Sequence, residues 1–145
     1  MTTIRPIREE DRDAWLPLWR GYNDFYRNEP TDEVTQTTFR RLCDGSDGLF
    51  GLVSEDGEGR LVGLAHLVFH SSTWATGPYC YLEDLFVSRE GRGSGAGMAL
   101  IKGVYEEADR RSAAHVYWHT QQYNAPARSL YDTVAHATSF VVYER

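Results

Sequence analysis

Three glycines fall within five residues, Gly93, Gly95 and Gly97, just behind an apolar run that carries two adjacent acids, Glu83 and Asp84. Tyr81 to Gly97 (YLEDLFVSREGRGSGAG) therefore predicts a strand, a glycine turn and the first turn of a helix. That order builds an anion site. Glycines let the backbone approach closely, and the first-turn N–H groups and the helix dipole favour negative charge. Competing phosphate motifs fit worse. A P-loop closes on Gly-Lys-Ser/Thr, and none follows Gly97. A dinucleotide fingerprint would read Gly93-x-Gly95-x-x-Met98 and fails at its third small residue. Acids placed just ahead of a phosphate cradle point to chemistry on a cationic or proton-bearing substrate.

Arg92-x-x-Gly95-x-Gly97 resembles motif A of the GNAT N-acetyltransferase superfamily. A second segment, Gln121 to Tyr131 (QQYNAPARSLY), resembles motif B of that family, with Asn124 and Tyr131 at its Asn and Tyr positions. The resemblance spans nearly the whole chain and is strongest from Tyr79 to Tyr131. In look it is nearest to the spermidine/spermine and the yeast histone-and-polyamine acetyltransferases. It implies an α+β, three-layer acyl-CoA N-acyltransferase fold over residues 1–145 as one domain. The sheet would be mixed, mainly antiparallel, flanked by helices and splayed between strands four and five. It also implies acetyl-CoA as co-substrate, with its pyrophosphate on Arg92, Gly93, Ser94, Gly95, Ala96 and Gly97, and with further cofactor contacts from Phe86, Val87, Asn124 and Arg128. Two positions depart from the family pattern: Ala135-His136 replaces the usual Gly-Phe, and Gly91 stands where a large side chain often precedes the Arg.

Periodicity supplies the rest of the frame. Thr2 to Arg8 reads as a short strand, edge-like because of Pro6. Trp15, Leu18, Trp19, Tyr22 and Tyr26 recur at helical spacing within Glu9 to Arg27, and Trp15, Trp19, Tyr22 and Phe25 read mostly as core. Thr31 fits an N-cap for a second helix reaching Cys43. Leu49 to Ser54 and Arg60 to Phe69 read as a hairpin around Glu55-Asp56-Gly57. A helix from Gly95 to Arg111, with Gly97, Ile101, Val104 and Ala108 inward, a strand from His115 to Thr120, a helix from Ala127 to Ala135 and a last strand from Ser139 to Tyr143 complete the order.

Acetyl transfer to an amine needs a neutral nitrogen, a polarised thioester carbonyl and a protonated leaving thiol. Glu83 and Asp84 are the candidate bases. Neighbours on a regular strand face opposite ways, which puts Glu83 with Tyr81, Leu85 and Val87, and Asp84 with Leu82 and Phe86. A structural ion pair is the alternative for each acid. The resemblance implies that Tyr131 protonates the departing thiolate; a phenol pKa of about 10 lies above that of a thiol, so close positioning is required. Backbone N–H groups near Phe86 or Val87 would polarise the carbonyl. Tyr26, Glu29 and Trp74 are candidates for the acceptor pocket, and His66 and His119 could line the cleft.

Composition narrows the remaining classes. A net charge of −6 weighs against nucleic acid and is compatible with a cationic amine acceptor. The expectation is no membrane partner, since the sequence holds no transmembrane-length apolar run and MTTIRPIREEDRD lacks an apolar signal core. Two cysteines without a Cys-x-x-Cys fit a reducing cytoplasm, and five scattered histidines give no metal site. The function expected is transfer of an acetyl group to a primary amine of a small molecule such as a polyamine or amino acid. A protein or peptide acetyltransferase and a non-catalytic acyl-CoA sensor are the alternatives. The apolar final strand, near the chain end, predicts a homodimer through an exposed edge.

Overall fold

The computed structural model describes residues 2–145. Its elements are β1 (Thr3–Pro6), α1 (Arg12–Phe25), α2 (Asp32–Asp44), β2 (Leu49–Glu55), β3 (Leu61–His70), β4 (Tyr79–Val87), α3 (Ala96–Arg110), β5 (His115–Tyr117) and α4 (Ala125–Tyr131). The strands form a five-stranded sheet in the order β1-β2-β3-β4-β5, antiparallel except for the parallel β4–β5 pair. This is the mixed sheet that the sequence predicts. Pro6 lies on the edge strand, where a missing N–H breaks no inner ladder. Thr31 caps α2 by accepting a hydrogen bond from the Val34 amide.

Both sheet faces are covered, and alternation along the strands sorts the side chains. Val53 and Leu64 pack with Trp15, Leu18, Trp19, Phe39 and Leu42 under α1 and α2. Leu52, Ala65 and Leu67 pack with Leu100, Val104 and Ala108 of α3. Trp15 and Trp19 stack with ring centroids 5.5 Å apart. Arg5 ties β1 to the turn before α1 through a forked pair with Asp11, at 2.7 and 2.8 Å, and a further bond to Glu55. The Arg5 bond, with the Arg8 amide, holds the Asp11 carboxyl below its ordinary range against the effect of burial.

Three departures from the sequence reading bear on the site. First, β4 is not regular. Its register with β3 runs from Val87↔Gly63 to Asp84↔His66 and then steps to Leu82↔Leu67, so Glu83 is an extra residue, a β-bulge. Cys80 and Leu82 face α3 before the bulge, and Leu85 and Val87 face it afterwards. Asp84 thus shares a face with Phe86 but not with Leu82. Second, β5 ends at Tyr117 rather than Thr120. Third, no strand forms over Ser139–Tyr143; Phe140, Val141, Val142 and Tyr143 are 71–92% exposed. A strand needs a ladder, and this segment pairs with none, although the outer edge of β5 is free.

Candidate active site

Only Tyr79–Tyr81 of β4 pair with β5, opposite His115–Tyr117. Beyond that point the strands part. A cleft of about 340 Å³ opens between Leu82, Glu83 and Leu85 on one side and Trp118, His119, Thr120 and Gln121 on the other. Tyr22 and Tyr26 from α1 and Tyr131 from α4 complete its walls, and Val142 touches its rim. From Leu82 to Val87 the β5-facing edge of β4 carries no ladder partner. Parted strands leave backbone donors and acceptors free for a ligand.

The helix α1 reaches this cleft because Gly21 lacks a side chain. A Cβ at Gly21 would lie 2.8 Å from the Phe86 ring of β4. The close approach sets Tyr22 and Tyr26 over the bulge. The Tyr22 hydroxyl donates to the Glu83 carbonyl at 3.4 Å. Burial, then the nearby Asp84 carboxylate, pushes the Tyr22 phenol far above its ordinary range, so it remains a donor. Phe25, read as core, is instead 58% exposed.

The bulge separates the two acids. Glu83 is the exposed residue of β4, and its side chain lines the cleft. Crowding by the cleft walls, then the adjacent Asp84, raises its carboxyl above the usual range. Asp84 is buried on the α1 face. Its Oδ2 is 2.8 Å from His66 Nδ1, and Trp15 Nε1 donates to His66 Nε2 at 3.1 Å. An indole N–H can only donate. Nε2 of His66 is therefore the acceptor, which leaves Nδ1 as the nitrogen that donates to Asp84. His66 does not line the cleft; His119 does.

The glycine turn has the predicted shape. Gly93 and Gly95 take φ of +80° and +82°, a region that side chains disfavour, and a Cβ on either would meet no atom within 4 Å. Gly95 N-caps α3 without a side-chain bond, and no acid occupies the first turn. Bare N–H groups with open space before them fit a phosphate. Arg92 is extended and exposed beside them, and the Ser94 hydroxyl bonds back to the Gly91 carbonyl. The α3 start is linked to the cleft through Gly97, whose Cβ position lies 3.4 Å from Leu130 of α4, next to Tyr131.

Motif B supplies the far wall. The Asn124 side-chain Oδ1 caps α4 by accepting from the Ala127 amide at 3.3 Å, and Arg128 braces the preceding loop by donating to the Gln122 carbonyl at 2.9 Å. Tyr131 packs edge-on against Trp118 with centroids 5.4 Å apart. Burial, then Tyr26 across the cleft, raises its phenol, so the proton stays on at neutral pH. The Thr120 hydroxyl is buried without a hydrogen-bond partner at the cleft wall. The expected residues Glu83, Tyr131 and Tyr26 meet at this cleft. Glu29 and Trp74, both exposed, are not among its lining residues. Tyr22, read as core, joins the site, and so do Tyr81, Trp118, Thr120 and Gln121, which sequence reasoning does not single out as site residues although Tyr81 and Gln121 lie within the two motif segments.

Residues 9–135 match the Acetyltransferase (GNAT) family. The chain belongs to that family. This GNAT protein is 37% identical over 143 residues to the D-amino-acid N-acetyltransferase HPA3 of Saccharomyces cerevisiae, covering 98% of this chain and 89% of HPA3. It is 30% identical over 140 residues to the thialysine N-epsilon-acetyltransferase of Mus musculus, covering 90% and 81% of the two chains. In fold it is similar to the aminoglycoside N-acetyltransferase AAC(6')-Iy in complex with CoA. The TM-score is 0.84 at 18% identity, over 100% of this chain and 94% of the other. The GNAT chain described here is thus an N-acetyltransferase.

The raised Glu83 carboxyl has a consequence for stability. A folded state that holds this proton more tightly than the unfolded chain loses stability as pH rises between the two pKa values. Glu83→Gln should raise the melting temperature at pH 7.5. The gain should vanish near pH 3, below the ordinary glutamate range, where the carboxyl is protonated in both states. Thermal melts at the two pH values check this.

Proposed function

We propose that the enzyme moves an acetyl group from acetyl-CoA to a primary amine of a small molecule, such as a polyamine or amino acid, by direct attack in a ternary complex. The observation that carries this reading is that Glu83 and Tyr131 converge on one cleft, beside the ladder-free edge of β4. Two relatives support the acceptor class, since their names assign them D-amino acids and thialysine.

Each step has a residue. The glycine turn from Arg92 to Gly97 holds the pyrophosphate, and Asn124 and Arg128 order the neighbouring loop. Backbone N–H groups of β4 near Phe86 and Val87 bind the thioester carbonyl and the oxyanion that develops on it. Glu83 accepts a proton from the ammonium, directly or through water, which frees the nitrogen lone pair. The amine nitrogen bonds to the carbonyl carbon, the carbon–sulfur bond breaks, and Tyr131 gives its proton to the departing sulfur; the second nitrogen proton leaves to water, and solvent returns a proton to the Tyr131 phenolate and takes the one held by Glu83. The products are an amide and a free thiol. Tyr22 and Tyr26 enclose the acceptor, and their rings suit an ammonium group through cation–π attraction. A reducing cytoplasm is the proposed compartment, in keeping with free Cys43 and Cys80.

Coenzyme A at a hundredfold excess over its dissociation constant should stabilise the fold by about 2.7 kcal/mol. Gly95→Asp, which puts a carboxylate where phosphate belongs, should abolish that shift in a thermal melt. An undiminished shift in the variant would move the site elsewhere.

Replacing Tyr131 by Phe keeps the ring against Trp118 and removes the proton. Turnover, followed as thiol release, should fall by about 100-fold with coenzyme A affinity held. Wild-type turnover would end this assignment.

The exposed apolar residues Phe140–Tyr143 and the free outer edge of β5 support a homodimer. Light scattering at micromolar concentration should give twice the 16.5 kDa of one chain. A monomer mass refutes it, and a dimer unaffected by Val141→Lys places the interface away from this segment.

A further inference from the structure

The β4 bulge is an unstable device unless something fixes its position. A one-residue slip would return β4 to regular pairing with β3 and turn Glu83 away from the cleft. The residue opposite the bulge is His66, the Cα partner of Asp84. It lies in a buried chain, Trp15 to His66 to Asp84, whose members are 1%, 3% and 8% exposed. Trp15 belongs to α1, which also carries the Tyr22 hydroxyl bonded to the Glu83 carbonyl. One helix thus holds the bulge twice: once at its own carbonyl, and once through His66 at the neighbouring carboxylate. Regular pairing would carry Asp84 off the α1 face and leave both His66 Nδ1–H and a carboxylate unpaired among apolar groups, a heavy penalty.

We propose that His66 is a positioning residue for acetyl transfer: with Trp15 and Asp84 it locks the register of β4 so that Glu83 is presented to the cleft. The inference rests on the acetyl-transfer reading above and deepens it. Asp84 then serves as the anchor of Glu83. The direction of every bond is set by the indole donor, which leaves Nδ1–H to point at Asp84. The groups facing Glu83 are Asp84 and His66 beside it, Tyr22 and Tyr26 from α1, Tyr81 on β4, His119 after β5 and Tyr131 from α4.

The test compares His66→Leu and His66→Asn with wild type in a thiol-release assay using acetyl-CoA and a panel of small amines. Leu removes both hydrogen bonds. Asn places an amide N–H where Nδ1–H stood and keeps the bond to Asp84. We expect His66→Leu to lose 10-fold or more in kcat, with coenzyme A affinity within about threefold of wild type, and His66→Asn to recover most of that loss. The acid limb of the kcat profile should also move to lower pH in His66→Leu. A loosened bulge lets water reach Glu83, its carboxyl falls toward the ordinary range, and it stays ionised to lower pH. A loss of stability alone would lower melting without moving that limb. Should His66→Leu fail to fold, Trp15→Phe carries the test, because it keeps an aromatic ring under α1 and removes the donor N–H along with part of the indole; kcat falls several-fold and the limb shifts the same way, a shift that lost packing alone would not give. A variant kcat and pH profile that superimpose on wild type overturn the positioning role while leaving the acetyl-transfer reading intact. A wild-type enzyme that releases no thiol with any amine overturns both.

Discussion

Parallel strands held together by three residues of ladder cannot stay parallel without help, and the enzyme is built around that shortage. Beyond Tyr81 and Tyr117 the two strands share no ladder, and only the Tyr81 hydroxyl reaches across, to His119 Nδ1 at 3.3 Å. Their backbone groups must find water or ligand, because burying them unpaired is costly. The gap stays open because α1 covers one end with tyrosines while α4 supports the other through Leu130 and Tyr131. Without the splay, Glu83 and Tyr131 would have no common space.

The bulge solves a second problem, that of placing one carboxylate in the cleft and its neighbour in the core. Side-by-side carboxylates in one cavity would repel and compete for a proton. Here the extra residue turns the strand, so Asp84 is spent on His66 and Glu83 stays free. The remaining influence of Asp84 is to keep the Glu83 carboxyl easier to protonate, which suits the base role proposed for it.

Much of this was legible in the residues. The glycine turn, the flanking strand and helix, the Thr31 cap and the edge character of Pro6 rest on local rules that tertiary packing did not override. The bulge was not read, although its trace is present: Cys80 and Leu82 keep a step of two, Leu85 and Val87 resume it, and a step of three lies between. Phe86, apolar on the other face, masks the break. The helical spacing of Tyr22 reads as core, but α1 overhangs the splay there. The C-terminal FVVY has strand propensity, and propensity does not supply a partner. Glu29 and Trp74 could not be placed from sequence because loop geometry sets where they point.

The division of the four tryptophans gives the enzyme built-in optical reporters. Trp15 and Trp19 stack in the core with nearly parallel rings, so their coupled transitions report on the packing of α1 against the sheet. Trp118 alone lies in the cleft wall, beside Tyr131, where an entering ligand changes the polarity around its indole. Trp74 stands in water and contributes a constant red-shifted background that an external quencher removes first. Emission from one chain thus separates cleft occupancy from the integrity of the core, without an added label.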